Sequence, residues 1–231
     1  MPRYAITDIH GCARTLKAMV HDQLKLTKKD ELYLLGDFVN KGPDSKGVID
    51  FILHLRKQRY QVQCLRGNHD QMLLKAVEKG EKALNLTPGE QELVLQSFDI
   101  KSFEQLSGKY VHFLDSLSYY LELPDYFLVH AGFDFKQDDI FSDKEAMLNI
   151  RDYKPDWVRL CNKKLLHGHT PTPLHAIKKA ASHQDQELNL DAGCVYYKNA
   201  AYGNLVALDM DSQELYVQPN IDRPYPVARK S

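Results

Sequence analysis

The sequence predicts an α/β fold that begins with a parallel sheet. Two observations carry that expectation. Over residues 3–67, short apolar runs alternate with helical patterns, the order of a parallel sheet joined by crossover helices. The 231 residues are 43% hydrophobic and 26% charged, enough to fill a real core.

The elements follow in order. "RYAIT" (3–7) reads as the first strand. Residues 13–26 read as a helix, because Leu16, Met19, Val20 and Leu24 recur near helical spacing. "ELYLLG" (31–36) is the second strand, apolar on both faces as a central parallel strand must be. Residues 44–58 open with Asp44-Ser45, a helix start signal, and carry Val48, Phe51, Ile52 and Leu55 on one stripe. "YQVQCLRG" (60–67) is the third strand. Residues 70–118 read as mostly helical, a helical insertion or cap after that strand. "YYLEL" (119–123) and "YFLVHAG" (126–132) read as two strands around the turn signal Pro124-Asp125. "DKEAMLNIRD" (143–152) reads as a helix. The last third reads as β-rich: "KKLLHGHT", "LHAIKK", "ELNLDAG", "NLVALDMD" and "ELYVQPN". "DMDSQE" (209–214) joins the last two as a hairpin turn. No repeat or Gly/Ser/Pro-rich linker divides the chain, so residues 1–231 read as one domain.

Composition narrows the function. Thirty basic and 31 acidic residues give a formal net charge of -1, so no overall basic field calls for nucleic acid. No apolar run reaches the ~18 residues of a membrane span. The first seven residues turn polar too soon for a signal peptide. The four cysteines are scattered, without a C-x-x-C pair, which fits free thiols in a reducing cytoplasm. Nothing in the sequence fixes an oligomeric state.

The polar residues at strand ends are the informative feature. In open α/β sheets, ligands sit beyond the carboxyl ends of the strands. Here the first strand ends in "DIHG" (Asp8, His10), the second in "GDFVNKG" (Asp37, Asn40, Lys41) and the third in "GNHD" (Asn68, His69, Asp70). Later apolar runs end in "VHAG" (His130) and "HGHTP" (His167, His169). Carboxylates, imidazoles and an amide oxygen suit a divalent ion of intermediate hardness, such as Mn, Fe or Zn. Six such ligands with one shared carboxylate could hold two ions ~3.5–4 Å apart, an arrangement suited to phosphoryl displacement. Taken singly, the same residues could be helix caps and turn formers.

The ordered series "DIHG … GDFVNKG … GNHD … HAG … HGHT" resembles the calcineurin-like metallophosphoesterases, from residue 4 to 209. Within them it is most similar to the phosphoprotein-phosphatase branch: bacterial serine/threonine phosphatases, the lambda phage phosphatase and the symmetrical diadenosine tetraphosphatases. The resemblance implies a four-layer α/β/β/α sandwich. It implies two divalent metal ions, Mn first among them. Asp8, His10 and a bridging Asp37 would hold one ion; Asp37, Asn68, His130 and His169 would hold the other. A metal-bound hydroxide would be the nucleophile. His69 would be the general acid, and Arg151 in "LNIRD" would clamp phosphate oxygens, unless it is a plain surface arginine.

The chain departs from the family's G-D-x-x-D-R-G block at Asn40 and Lys41. An asparagine can accept a hydrogen bond from the catalytic imidazole but lends it no negative charge. A lysine keeps a positive charge but loses the two-point fork. Both could also be ordinary turn residues. The expected enzyme is a serine/threonine protein phosphatase acting on a phosphorylated protein or a small phosphoester. The alternatives are a symmetrical dinucleoside polyphosphate hydrolase and a metal-binding interaction module with weakened turnover. Asp70 is expected to cap a helix, His167 and Cys12 to be packed, and the role of Tyr196, Tyr197 and Tyr202 stays open.

Overall fold

The computed structural model describes residues 1–81 and 84–223. Strands β1 (Arg3–Ile6), β2 (Glu31–Leu34) and β3 (Gln61–Cys64) run parallel, in register Tyr4–Leu32–Val62. Helix α1 (Ala13–Ala18) makes the first crossover and α2 (Ser45–Lys57) the second. The Asp44 side chain caps α2 by accepting from the Gly47 N–H, as the start signal requires. The expected helix over 13–26 is split: α1 passes at Met19 into a π-helical turn, Met19–Gln23.

Three helices follow β3: α3 (Asn68–Lys79), α4 (Pro88–Phe98) and α5 (Gly108–Asp115). Their Leu73, Val94, Phe98, Phe113 and Leu114 pack into the same core as Leu16 of α1 and Ile52 of α2. The described residues of the 70–118 segment therefore extend the helical layer over the first sheet; residues 82–83 lie outside them.

The second sheet has the order β4-β5-β6-β7, with β4 (Tyr120–Glu122) antiparallel to β5 (Tyr126–Val129). Strands β5, β6 (Lys164–His167) and β7 (Glu187–Asn189) are parallel. Helix α6 (Lys144–Asn149) lies between β5 and β6 in the chain, and α7 (Leu174–Ser182) between β6 and β7. The chain then returns to the first sheet as the hairpin β8 (Asn204–Asp209) and β9 (Leu215–Pro219), giving the order β3-β2-β1-β8-β9.

Side-chain alternation separates the layers. Ile6 and Leu34 face the helices, whereas Ala5, Tyr33 and Leu35 face the second sheet, where they meet Tyr126, Leu128, Leu166 and Leu188. Phe127, Val129 and Leu165 face the other way, into a cluster with Phe133, Ile140, Met147 of α6 and Leu160. That is the four-layer arrangement the resemblance implied.

One element is corrected. "LHAIKK" is the start of helix α7 rather than a strand. Two parallel neighbours such as β6 and β7 need a crossover, usually a helix. Leu174, Ile177 and Ala181 recur at helical spacing and pack on the inter-sheet core beside β7.

Candidate metal centre

The carboxyl ends of β1, β2, β3, β5 and β6 meet at one point. Asp8, His10, Asp37, Asn68, His69, His130 and His169 are all buried there. The backbone makes room by unusual means. Asp8, His10, Asp37 and His169 all have positive φ, between 47° and 71°. For residues other than glycine this is uncommon and costs energy, so such strain tends to cluster where function needs it. Gly36 and Gly67 bring β2 and β3 together. A Cβ on Gly36 would stand 2.5 Å from the Gly67 nitrogen, and one on Gly67 would stand 2.1 Å from the Asp37 carboxylate.

Asp70 is more than a helix cap. Its Oδ2 accepts from the backbone N–H groups of Gly67 and Asp37, and its Oδ1 accepts from Phe38, all at 2.9 Å. One carboxylate thus ties the start of α3 to the loop carrying Asp37. The His69 N–H in turn donates to Asp37 Oδ1 at 2.9 Å. Asp8 Oδ2 accepts from the Thr7 hydroxyl at 2.6 Å and the His169 N–H at 2.9 Å.

The ring orientations test whether a cation fits. His10 Nδ1 faces the Val39 carbonyl at 3.2 Å, and His130 Nδ1 faces the Leu35 carbonyl at 2.9 Å. A neutral imidazole so placed carries its proton on Nδ1 and presents a lone pair at Nε2. Both lone pairs lie near further acceptors, although the His10 lone pair also meets the Lys41 ammonium at 3.1 Å. His10 Nε2 lies 3.4 Å from Asp37 Oδ2 and 3.9 Å from Asp8 Oδ1. His130 Nε2 lies 3.6 Å from Asp37 Oδ1 and 3.1 Å from Asn68 Oδ1, which is also 3.1 Å from His169 Nδ1. Acceptors facing acceptors repel unless a cation lies between them, so the residues present fit metal binding. Two groups have donor atoms within 4.8 Å of one another: His10, Asp37 and His69, and Asp8, Asp37 and His130. Asp37 is in both, as a bridging carboxylate should be. The groups cut across the expected partition, since Asp8 stands with His130, and His69 joins His10.

The electrostatics agree in sign. Burial, then the Lys41 and His69 charges, pushes the His10 imidazole well below its ordinary pKa. Burial, then Lys41, pushes His69 down to about 2, and burial, then His130, pushes His169 down to about 3. Burial, then the neighbouring Asp8 charge, pushes the Asp37 carboxyl well up. Each shift favours the neutral form, the response of desolvated groups that lack a strong counter-charge. A divalent ion would reverse the shift at the Asp37 carboxyl and reinforce those of the imidazoles, holding them neutral as ligands.

The two departures from the family block both reach the centre. Asn40 is fully buried, with Nδ2 at 3.2 Å from His69 Nδ1 and 3.3 Å from the His69 carbonyl. A carbonyl needs a donor, so the amide nitrogen faces His69. The sequence suggested that Asn40 would accept from the ring; it donates to the ring instead. The imidazole proton then belongs on Nε2. Lys41 Nζ lies 3.1 Å from His10 Nε2 and 5.9 Å from the Tyr196 ring centre. Tyr196 thus lies beside Lys41, partly exposed. Arg151 is exposed at the rim, donating to the Thr170 hydroxyl at 3.1 Å, and its charge is felt by Asp37 and His169. His167 is occupied by Glu187, at 3.2 Å, and stands as packing.

Sequence reasoning missed Asp191. It is buried, follows β7, accepts from the Gly193 N–H at 2.8 Å and is pushed up by burial, then by the Asp8 charge. "NLDAG" repeats the pattern of an apolar run, a carboxylate and a glycine, which could have flagged it.

Residues 1–202 match the family described as calcineurin-like phosphoesterase. The chain belongs to that family. Among curated relatives, it is 33% identical over 137 residues to the symmetrical bis(5'-nucleosyl)-tetraphosphatase of Cellvibrio japonicus, covering 57% of this chain and 45% of that protein. It is 42% identical over 82 residues to the enzyme of the same name from Buchnera aphidicola subsp. Schizaphis graminum, covering 36% of this chain and 29% of that one. The matches therefore span less than half the length of these relatives. Among solved structures, a candidate diadenosine tetraphosphatase has a TM-score of 0.61 at 21% identity, covering 95% of this chain and 93% of that one. A protein serine/threonine phosphatase from Saccharomyces cerevisiae has a TM-score of 0.67 at 14% identity, covering 98% and 81%. Such identities establish the fold alone. Among the described residues, no helix is long and apolar enough to cross a membrane.

Proposed function

We propose that this phosphoesterase hydrolyses a dinucleoside polyphosphate symmetrically, splitting a phosphoanhydride bond with two divalent ions at the strand-end centre. The observation that carries the metal dependence is the convergence of acceptor atoms on Asp37. The substrate class is supported by the name the curated relatives share. Asp8, His10 and Asp37 would hold one ion, and Asp37, Asn68, His130 and His169 the other, with Mn preferred over Fe or Zn. Bound there, the ions would supply Lewis acidity and a water activated as nucleophile.

The chain's own residues do the rest. Arg151 and Lys41 bring positive charge to the phosphate oxygens. His69 donates its Nε2–H toward the leaving oxygen. With Asn40 behind it, the ring has no carboxylate to stabilise an imidazolium, so it offers a hydrogen bond more readily than a proton. A leaving phosphate needs less acid help than the alkoxide of phosphoserine. Asn40 thus fits an anhydride better than the protein-phosphatase reading. Four scattered cysteines, three of them buried, fit a cytoplasmic home.

The test uses the full chain with Mn or with EDTA, on diadenosine tetraphosphate, a phosphoserine peptide and p-nitrophenyl phosphate. The expected result is Mn-dependent conversion of diadenosine tetraphosphate to two ADP, faster than release from the peptide. Preferential peptide turnover would restore the protein-phosphatase reading. Metal binding without turnover on any of the three would favour the interaction module.

A further inference from the structure

A second feature opens beside the centre. A cavity of about 190 Å³ lies between α3 and α6. Asn68 forms part of its wall, and the Asn68 amide oxygen is the one shared by His130 and His169. Anything seated there would hang beside the reacting phosphate.

The cavity is lined by groups set in fixed orientations. Arg66 Nη1 donates to Gln71 Oε1 at 2.7 Å, and Arg66 is itself anchored to the carbonyls of Leu114 and Asp115. Held by its oxygen, the Gln71 amide leaves its NH2 as a donor. Asn149 Nδ2 donates to Glu145 Oε1 at 2.8 Å and to the Glu145 carbonyl at 3.3 Å, which leaves Asn149 Oδ1 as an acceptor. Met72 and Leu148 supply apolar surface between them. An oriented donor, an oriented acceptor and apolar walls match a flat heteroaromatic ring with a mixed polar edge. The volume is below the ~300–1,000 Å³ of drug-sized pockets, so it suits one ring system better than a peptide segment.

We propose that this cavity is a nucleobase subsite, read by Gln71 and Asn149 and walled by Met72 and Leu148. It deepens the dinucleoside polyphosphate reading and rests on it for the substrate's identity.

The test is equilibrium binding of AMP and of ribose 5-phosphate to the Mn-loaded full chain by calorimetry. The two ligands share the phosphate and differ by the base. AMP is expected to bind about tenfold more tightly, the effect of roughly one net hydrogen bond plus apolar contact. Gln71→Glu keeps an acceptor for Arg66 while removing the NH2 donor, and Met72→Trp fills the cavity. Each should bring the ratio of the two Kd values to near one, leaving ribose 5-phosphate affinity within about twofold. Circular dichroism confirms that both variants fold. Equal binding of AMP and ribose 5-phosphate by the unaltered chain would overturn the proposal. So would a base preference that survives in both variants, or a phosphoserine peptide displaced by Met72→Trp while AMP is not. The measurement needs no turnover, so failure to cleave diadenosine tetraphosphate would count against the proposed reaction and leave the subsite standing on its own result.

Discussion

The two ends of the same strands are built on opposite principles. At the amino ends, Arg3 and two carboxylates form a closed cluster. Arg3, at the start of β1, donates to both oxygens of Asp125 at 2.7 Å and to Asp211 through Nε at 2.9 Å and Nη2 at 2.6 Å. Asp125 directly precedes β5 and Asp211 lies in the β8–β9 turn, so one guanidinium ties the start of one sheet to the other. None of the three has positive φ. At the carboxyl ends, Asp8, His10, Asp37 and His169 have positive φ, and imidazole lone pairs face carboxylate oxygens. The Arg3 cluster satisfies its charges within the chain. The carboxyl ends leave several acceptor atoms facing one another, as a cation site would. This is how a scaffold can be stable and still hold a strained, repulsive centre.

The contrast can be broken at its most loaded residue. Asp37→Asn removes the shared carboxylate while keeping an oxygen for the His69 N–H. Turnover is expected to fall by at least about a hundredfold, beyond the usual cost of losing a group that only supports a ligand. In EDTA the same variant should melt about 2–4 °C higher, because a crowded buried charge is gone. A lower melting temperature in EDTA would refute the repulsive picture.

Asp70→Ala strikes the strut between the helix start and the Asp37 loop. It should cost about 3 kcal/mol of stability through three lost bonds to a buried carboxylate. Mn affinity, measured by calorimetry, should drop about 10–100-fold with it. Unchanged affinity would mean that Asp37 holds its place without Asp70.

Smaller changes sharpen the comparison. Asn40→Asp should raise turnover on an alkyl phosphomonoester about tenfold more than on an aryl one, since only the former needs strong acid help. Equal effects would remove Asn40 as the cause. Lys41→Gln withdraws a cation 3.1 Å from His10 Nε2. The weaker of two Mn binding steps should tighten about fivefold as a competing charge leaves. Loss of affinity would show that Lys41 supports the ion instead.

The smallest effect is expected at the opposite end. Arg3→Ala should leave turnover unchanged and cost about 1 kcal/mol, because its partners are largely exposed and screened. Arg3 holds the Asp125 carboxyl below its ordinary range. A depressed carboxylate contributes stability above its unfolded pKa, near 4, which is lost as pH falls through the lower folded value. The variant should therefore show a shallower loss of melting temperature between about pH 5 and 3. An activity loss in Arg3→Ala would erase the division between the ends.

Much of this was legible in the chain. β2 could be placed because a run apolar on both faces, Leu32 to Leu35, suits a central parallel strand. Asp37, His10 and His130 could be placed because each follows such a run beside a glycine. "LHAIKK" could not, because six residues of mixed polarity fit both periods and only the need to cross from β6 to β7 decides between them. Asp191 escaped because its strand, β7, is three residues long and its carboxylate stands without a histidine.

By itself, the sequence determined the order of the elements and the set of polar residues at the strand ends, since both follow from local periodicity and turn chemistry. Tertiary structure alone decided which way those residues face. The Asn40 amide is turned by the His69 carbonyl, the Gln71 oxygen is held by Arg66, and Lys41 reaches His10 across 31 positions of chain. Such orientations come from partners distant in sequence, and no local pattern encodes them.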